Sequence, residues 1–187
     1  MTEDSTKIVI LQFESLTAGR KSCDAPRMGD LNEFSVPVKL FLKAYPWRKL
    51  EPVPWTPLKK PLDQCRLALV STAAFVLPGQ NLFDESVRGG DCSFREIPDD
   101  TDLRRLKEFH RSESFDHTGI QQDPNLALPI ERVRELAQRG GIGSVNRRHL
   151  SFMGSITAPG RLIQQTAPAA AEMLVADAVD VALLVPV

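Results

Sequence analysis

Cysteine is scarce: Cys23, Cys65 and Cys92 are the only three in 187 residues, widely separated and with no Cys-x-x-Cys among them. That spacing argues against a disulfide scaffold and against a zinc ribbon. No neighbouring pattern marks an activated thiolate. Cys65, just before an apolar run, reads as structural, and Cys92, beside Gly89-Gly90, as the more exposed thiol. Neither sign of charge dominates, with 23 Lys+Arg against 24 Asp+Glu and a net charge of −1. This balance carries no electrostatic footprint for nucleic acid or an anionic membrane. No run approaches the ~18 apolar residues that a membrane span requires. The first residues, Met1-Thr-Glu-Asp-Ser5, are acidic where a secretory signal is positive, so the expected location is cytoplasmic. Catalytic signatures are missing as well. There is no Gly-x-Ser-x-Gly elbow and no pair of histidines at the i, i+4 spacing of a helical metal site. Gly140-Gly-Ile-Gly143 follows a helical pattern where a dinucleotide fingerprint must follow a strand. No metal and no cofactor in this chain is expected.

What is present suits a folded body. Hydrophobic residues make up 42%, ordinary globular usage. The length predicts one α/β domain over residues 62–187, preceded by an arm and proline-rich connector over 1–61. Five prolines between Pro46 and Pro61 favour extended backbone around Trp47 and Trp55. A helix is expected after Pro37, with Leu40 and Phe41 on its apolar side. Ile8–Leu11 is apolar but has no assignable place.

Leu67-Ala-Leu-Val-Ser-Thr72 is the first strong strand pattern, prolonged by Ala73–Leu77. Pro78 to Asp91 reads as a long loop, and loops of that length inside compact domains are often functional. Ser93–Ile97 alternates as a strand closed by Pro98, residues 101–107 form a helical turn, and Leu106–His110 extends again. Pro129–Gln138 is the clearest helix, with Ile130, Val133, Leu136 and Ala137 on one face, Glu135 four residues before Arg139, and Gly140-Gly141 as its stop. Ile142–Phe152 extends. Arg161–Ala176 is a second helix, kinked or restarted at Pro168. Val179–Val187 is a nearly continuous apolar run, as in a parallel strand covered on both faces. Strand and helix alternate, which predicts a mostly parallel sheet flanked by helices, flavodoxin-like or Rossmann-like.

Ligands gather past the carboxyl ends of such strands. Ser71 and Thr72 fall at one such end, where hydroxyls bind a carboxylate or simply terminate the strand. His110, His117 and His149, with Asp116, are the natural acid–base or ligating groups. Their plainer role is hydrogen bonding within loops, most of all for His149.

Several stretches, in order, carry a resemblance. They are Tyr45-Pro-Trp-Arg48, Pro54–Leu62, Arg66–Thr72, Ser93–Pro98, Ser114-Phe-Asp-His-Thr118, Leu128–Leu136, Gly141-Ile-Gly143, His149-Leu-Ser-Phe-Met-Gly154 and Val179–Val187. Together they resemble the selenoprotein B family of glycine, sarcosine, betaine and D-proline reductases, from about Val38 to Val187. The resemblance implies reductive C–N cleavage of an amino acid or amine-type substrate, linked to a dithiol–disulfide couple that counts the disulfide as acceptor. It implies a selenocysteine or cysteine nucleophile just after the strand matching Val179–Val187, and no such residue stands there. It also implies reductase-complex subunits as partners, one of which carries a pyruvoyl group in some relatives. His110, Asp116 and His117 match the family's His-rich loop. Ser151, Met153, Gly154 and Ser155 match its Ser-Phe-Met-Gly loop. Both loops are expected to border the pocket with Ser71 and Thr72.

Two expectations stand side by side. Either a reading frame is interrupted at a recoded UGA, or a shortened relative keeps the fold as a non-catalytic interaction or small-molecule-binding protein. In either case Val179–Val187 is expected to leave an apolar sheet edge, so that the chain aggregates or forms a homodimer through it.

Overall fold

Alternate residues of the two most apolar runs go to opposite sides of one sheet, and both sides are covered. The computed structural model describes residues 9–11, 34–45, 51, 56–112 and 117–187. Its strands are β1 (Val9–Leu11), β2 (Arg66–Ser71), β3 (Phe75–Val76), β4 (Phe94–Pro98), β5 (Lys107–Glu108), β6 (Ser144–Val145), β7 (Arg148–Phe152) and β8 (Val181–Val185). Its helices are α1 (Val36–Ala44), α2 (His117–Gln122), α3 (Ile130–Gln138) and α4 (Ala167–Ala176). The chain divides into two compact units, residues 13–54 and residues 1–12 with 55–187. In the smaller unit α1 begins at Val36, with Pro37 inside its first turn and not ahead of it, and its Leu40 and Phe41 are exposed. Trp47, Trp55 and Asp116 lie outside the described residues. Among the described residues no helix is long and apolar enough to cross a membrane.

The main sheet has the order β1-β8-β2-β7-β4, with β6 also paired to β2. Every pairing is parallel except β4 with β7. The mostly parallel α/β architecture is therefore as the sequence predicts. On one side Leu67, Leu69, Ile97 and Val181 pack with Ile120 of α2 and with Ile130 and Val133 of α3. On the other, Ala68, Leu150 and Ala182 pack with Ala170 and Leu174 of α4. Truncating a side chain as enclosed as Leu69, which is fully buried, costs about 2–5 kcal/mol.

β8 is not an edge. Val9, Ile10 and Leu11 pair with Val181, Ala182 and Leu183, and β2 occupies the other side. The expected exposed edge is thus overturned by a three-residue strand too short to stand out in the sequence, which removes that edge as a ground for aggregation or dimerisation. The run after β2 departs too. Ala74 takes a left-handed φ of 54°, and the chain turns away so that β3 pairs antiparallel with β5. In α3, Leu136 is exposed, and Glu135 pairs with Arg132 instead of Arg139. The restart at Pro168 takes the form of a π-helical turn, Leu162–Thr166, ahead of α4. A wider turn accommodates a proline that has no N–H to donate and would clash with the carbonyl four residues back.

Polar groups close the amino-terminal end of the sheet. The Asp177 carboxylate, 2% exposed, accepts hydrogen bonds from Arg148, Asn146 and Arg147. Arg148 also reaches Glu96, while Arg66 donates to the Asp177 carbonyl. Hydrogen bonds from Arg148, then from Asn146 and Arg147, outweigh the cost of burial and hold the Asp177 carboxyl down at about 2. A carboxyl lowered on folding stabilises the fold above its unfolded value near 3.8, and that contribution disappears as pH falls toward 2. It is worth on the order of 2 kcal/mol. Asp177→Asn is expected to lose about 3 kcal/mol at pH 7 by removing the buried charge that Arg148 and Arg147 share. The variant should also show a shallower decline of its urea midpoint between pH 4 and pH 2 than the wild type, measured by circular dichroism.

Candidate active site at the carboxyl edge of the sheet

Parallel strands present their last residues at one edge, and here β2, β7 and β8 do so together. Thr72, one residue past β2, grips the end of β8. Its N–H donates to the Val185 carbonyl at 3.2 Å, and its Oγ1 accepts from the Val187 N–H at 2.9 Å. Beside it Ala73 bridges to Met153, just past β7. A cavity of about 460 Å³ opens here, lined by Thr72, Met153, Gly154, Ile156, Leu162 and Pro186 among others.

The long loop 78–91 is fastened across this edge. The Gly89 carbonyl accepts from the N–H groups of Thr157 and Ala158. Gly90 has φ +102°, and a Cβ there would lie 2.8 Å from the Ser155 carbonyl oxygen. The two glycines are what allow the loops to touch. Ser155 thus meets the loop through its backbone. Met153 is buried with Ala74, Val76 and Phe83.

The two-stranded β3–β5 sheet brings the histidines. Glu108 on β5, its side chain 5% exposed, accepts the backbone N–H of His110 on one carboxylate oxygen. Its other oxygen lies 2.7 Å from His117 Nδ1. The His117 Nε2 lies 2.9 Å from the Ser112 carbonyl oxygen. His110 is buried, and its Nδ1 accepts the Ser112 N–H at 3.3 Å. A backbone amide can only donate, so the neutral ring of His110 carries its proton on Nε2. Burial pushes the His110 ring below its ordinary 6.5, with the Glu108 carboxylate resisting and His117 reinforcing the shift. Gly154 faces this ring: a Cβ built there would lie 2.6 Å from His110 Nε2, 2.9 Å from the Thr72 carbonyl and 3.1 Å from Thr72 Oγ1.

The structure therefore gathers Thr72, His110, Met153 and Gly154 at the edge, with His117 joined to His110 through Glu108. Ser71 and Ser151 are register partners buried in the sheet. The Ser71 hydroxyl accepts the Ala73 N–H, and the Ser151 hydroxyl has no partner among the described residues. Neither lines the cavity. His149 has a different task. Between the β6 and β7 pairings with β2 the register steps by two residues, and His149 Nδ1 accepts the Leu69 N–H at 3.0 Å in the gap. Its Nε2 faces Asp99 at 3.3 Å.

Burial, then the Asp180 carboxylate, raises the Cys65 thiol above its ordinary range, which suits a structural role. Cys92 is buried as well, contrary to the expected exposure, with its Sγ toward the Gly90 carbonyl at 3.7 Å. No described group of three or more His, Cys, Asp or Glu residues is arranged to hold a metal. Glu108 escaped the sequence reading. The signal available was Glu108-x-His110, two residues of an extended segment sharing one side.

A parallel α/β layer with an open cavity past its strand ends has the architecture in which such folds place their ligand sites. Residues 36–186 match the glycine/sarcosine/betaine reductase selenoprotein B family, and the chain belongs to that family. It is 31% identical over 133 residues to the D-proline reductase subunit gamma of Acetoanaerobium sticklandii, an alignment covering 71% of this chain and 53% of that protein. The chain thus spans about half the length of this curated relative. No solved structure matches it.

Gly154→Ala is expected to force His110 and Thr72 apart, with a loss of about 1–3 kcal/mol from overpacking. As His110 moves toward solvent its titration should rise back toward 6.5. Histidine Cε1–H shifts followed by NMR across pH 4–8 measure this directly.

Proposed function

We propose that this chain acts as a selenoprotein B-type reductase subunit, working in the cytoplasm within a multi-subunit complex. The observation that carries the reading is the grip of Thr72 on Val185 and Val187. The family resemblance sets the reactive selenocysteine or cysteine just after the strand matching β8. A nucleophile joined to Val187 would emerge beside Thr72, Gly154 and His110. Thr72 then acts as a positioning residue for it, and the buried His110 supplies a neutral N–H at the same edge.

The reaction breaks a substrate C–N bond. Carbon leaves with a hydrogen, the nitrogen leaves as an amine, and two thiols give up two electrons and two protons as they pair into a disulfide. A chalcogen anion serves because it is abundant near neutrality and polarisable. By the family resemblance a pyruvoyl group, where the complex has one, is carried by a partner subunit, and this chain's residues receive the rest of the substrate.

The test is the native complex, isolated through this chain and supplied with dithiothreitol and each of glycine, sarcosine, betaine and D-proline. Dithiol-dependent C–N cleavage of at least one compound is expected. Thr72→Val should lower kcat at least tenfold with little change in KM, and Thr72→Ser should restore it. Binding of these compounds without any cleavage would instead make the protein a non-catalytic binding subunit.

A further inference from the structure

The cavity at the carboxyl edge continues along one side of the sheet. Val70, Phe152, Ala167 and Leu184 line it and also line a second cavity of about 240 Å³ between α4 and the strands. The far walls of this arm are Leu150 of β7 with Ala170 and Leu174 of α4. Val70, Leu150 and Phe152 point to the α4 side because they alternate with Leu69, Ser71 and Ser151. Side chains that stop at Cβ, at 167, 170 and 171, leave the space open on the helix side.

No charged side chain among the described residues lines either cavity, and the one hydroxyl, on Thr72, already accepts the Val187 N–H. Such a space turns most occupants away. A polypeptide segment would bring N–H and C=O groups that find no partner there, and a fixed charge would lose its water with nothing in exchange. Hydrocarbon meets neither cost. Size agrees, since an apolar protein cavity of about 150 Å³ takes a benzene ring, and the arm is larger.

We propose that the arm under α4 is a receptor for the hydrocarbon body of an amine-type substrate, and that it selects aliphatic bodies larger than those of glycine, sarcosine, betaine or D-proline. The receptor stands on the cavity, whereas a substrate as its ligand rests on the reductase reading. An amine whose chain fills the arm leaves its C–N bond at the mouth beside Thr72, where the nucleophile of that reading emerges. Glycine leaves the arm empty, and betaine brings a fixed charge toward it.

The experiment titrates the whole chain, ¹³C-labelled at alanine and leucine methyls, with methylamine, butylamine and hexylamine. Hexylamine should shift the methyls of Ala170, Leu174 and Leu184 saturably, and affinity should rise about three- to fourfold for each methylene that enters. Ala167 is exposed and lines both cavities, so Ala167→Leu narrows the passage without crowding the core, and should weaken hexylamine at least tenfold. Ala169→Leu, also exposed on α4 but lining neither cavity, should change it less than twofold. Affinity that does not grow with chain length overturns the proposal, as does an equal effect of the two leucine variants. So does a dimer with these methyls in its contact, because the arm then takes a second copy. In the native complex D-pipecolate, one ring methylene larger than D-proline, should show a KM no higher than that of D-proline, and a KM above that of glycine overturns the selectivity. Absence of turnover with every compound, alongside hexylamine binding as expected, would defeat the reductase reading and leave the receptor standing.

Discussion

Everything in the larger unit hangs on the parallel pairing of β2 with β8. Parallel strands cannot be joined by a hairpin, and here the intervening chain must supply β7, β4, two covering layers and the two-stranded β3–β5 sheet before the partner arrives. Closing so long a loop costs entropy that only extensive burial offsets. That is why both strands are apolar on both sides, and why the helices divide between the two faces. The same pairing brings Thr72 and Val187 to one point, so the constraint that builds the core also builds the edge.

The parts of this architecture visible in the sequence are those with strong local pattern. Leu67–Leu69 and Val181–Val185 could only be buried strands. Pro129 with Gly140 bracketed α3, and Pro168 marked the break that became a π-helical turn. What escaped had little pattern to show. β1 contributes three residues to the sheet, and its neighbour β8, not its own sequence, gives it a place. The turn at Ala74 is invisible because alanine carries no mark of a left-handed backbone. The site was legible by family motif and position: Thr72, His110 and Gly154 converge, whereas Ser71 and Ser151 share the motifs but turn into the sheet. Glu108 had no motif. Only the fold shows that this one carboxylate takes the His110 backbone N–H and the His117 ring together.

The three histidines illustrate how surroundings assign roles to one side chain. His149 replaces a missing backbone partner where the strand register steps, and is committed to the sheet. His110 is kept neutral by its enclosure and by an amide aimed at its ring. His117 is given two acceptors. The sequence offers the same residue three times, and the backbone decides which nitrogen carries a proton.

The two ends of the sheet differ in how their polar groups are bound to one another. At the amino end, Asp177, Arg148, Asn146 and Glu96 are joined by hydrogen bonds in which the buried Asp177 carboxylate depends on Arg148 for its main partner. Across diverging relatives Asp177 and Arg148 are therefore tied to co-vary. Thr72 and Gly154 are held instead by the shape of the edge. Because a side chain at Gly154 would meet both Thr72 and His110, a change at this end is tied to its neighbours by space, as a change at the other end is tied by charge.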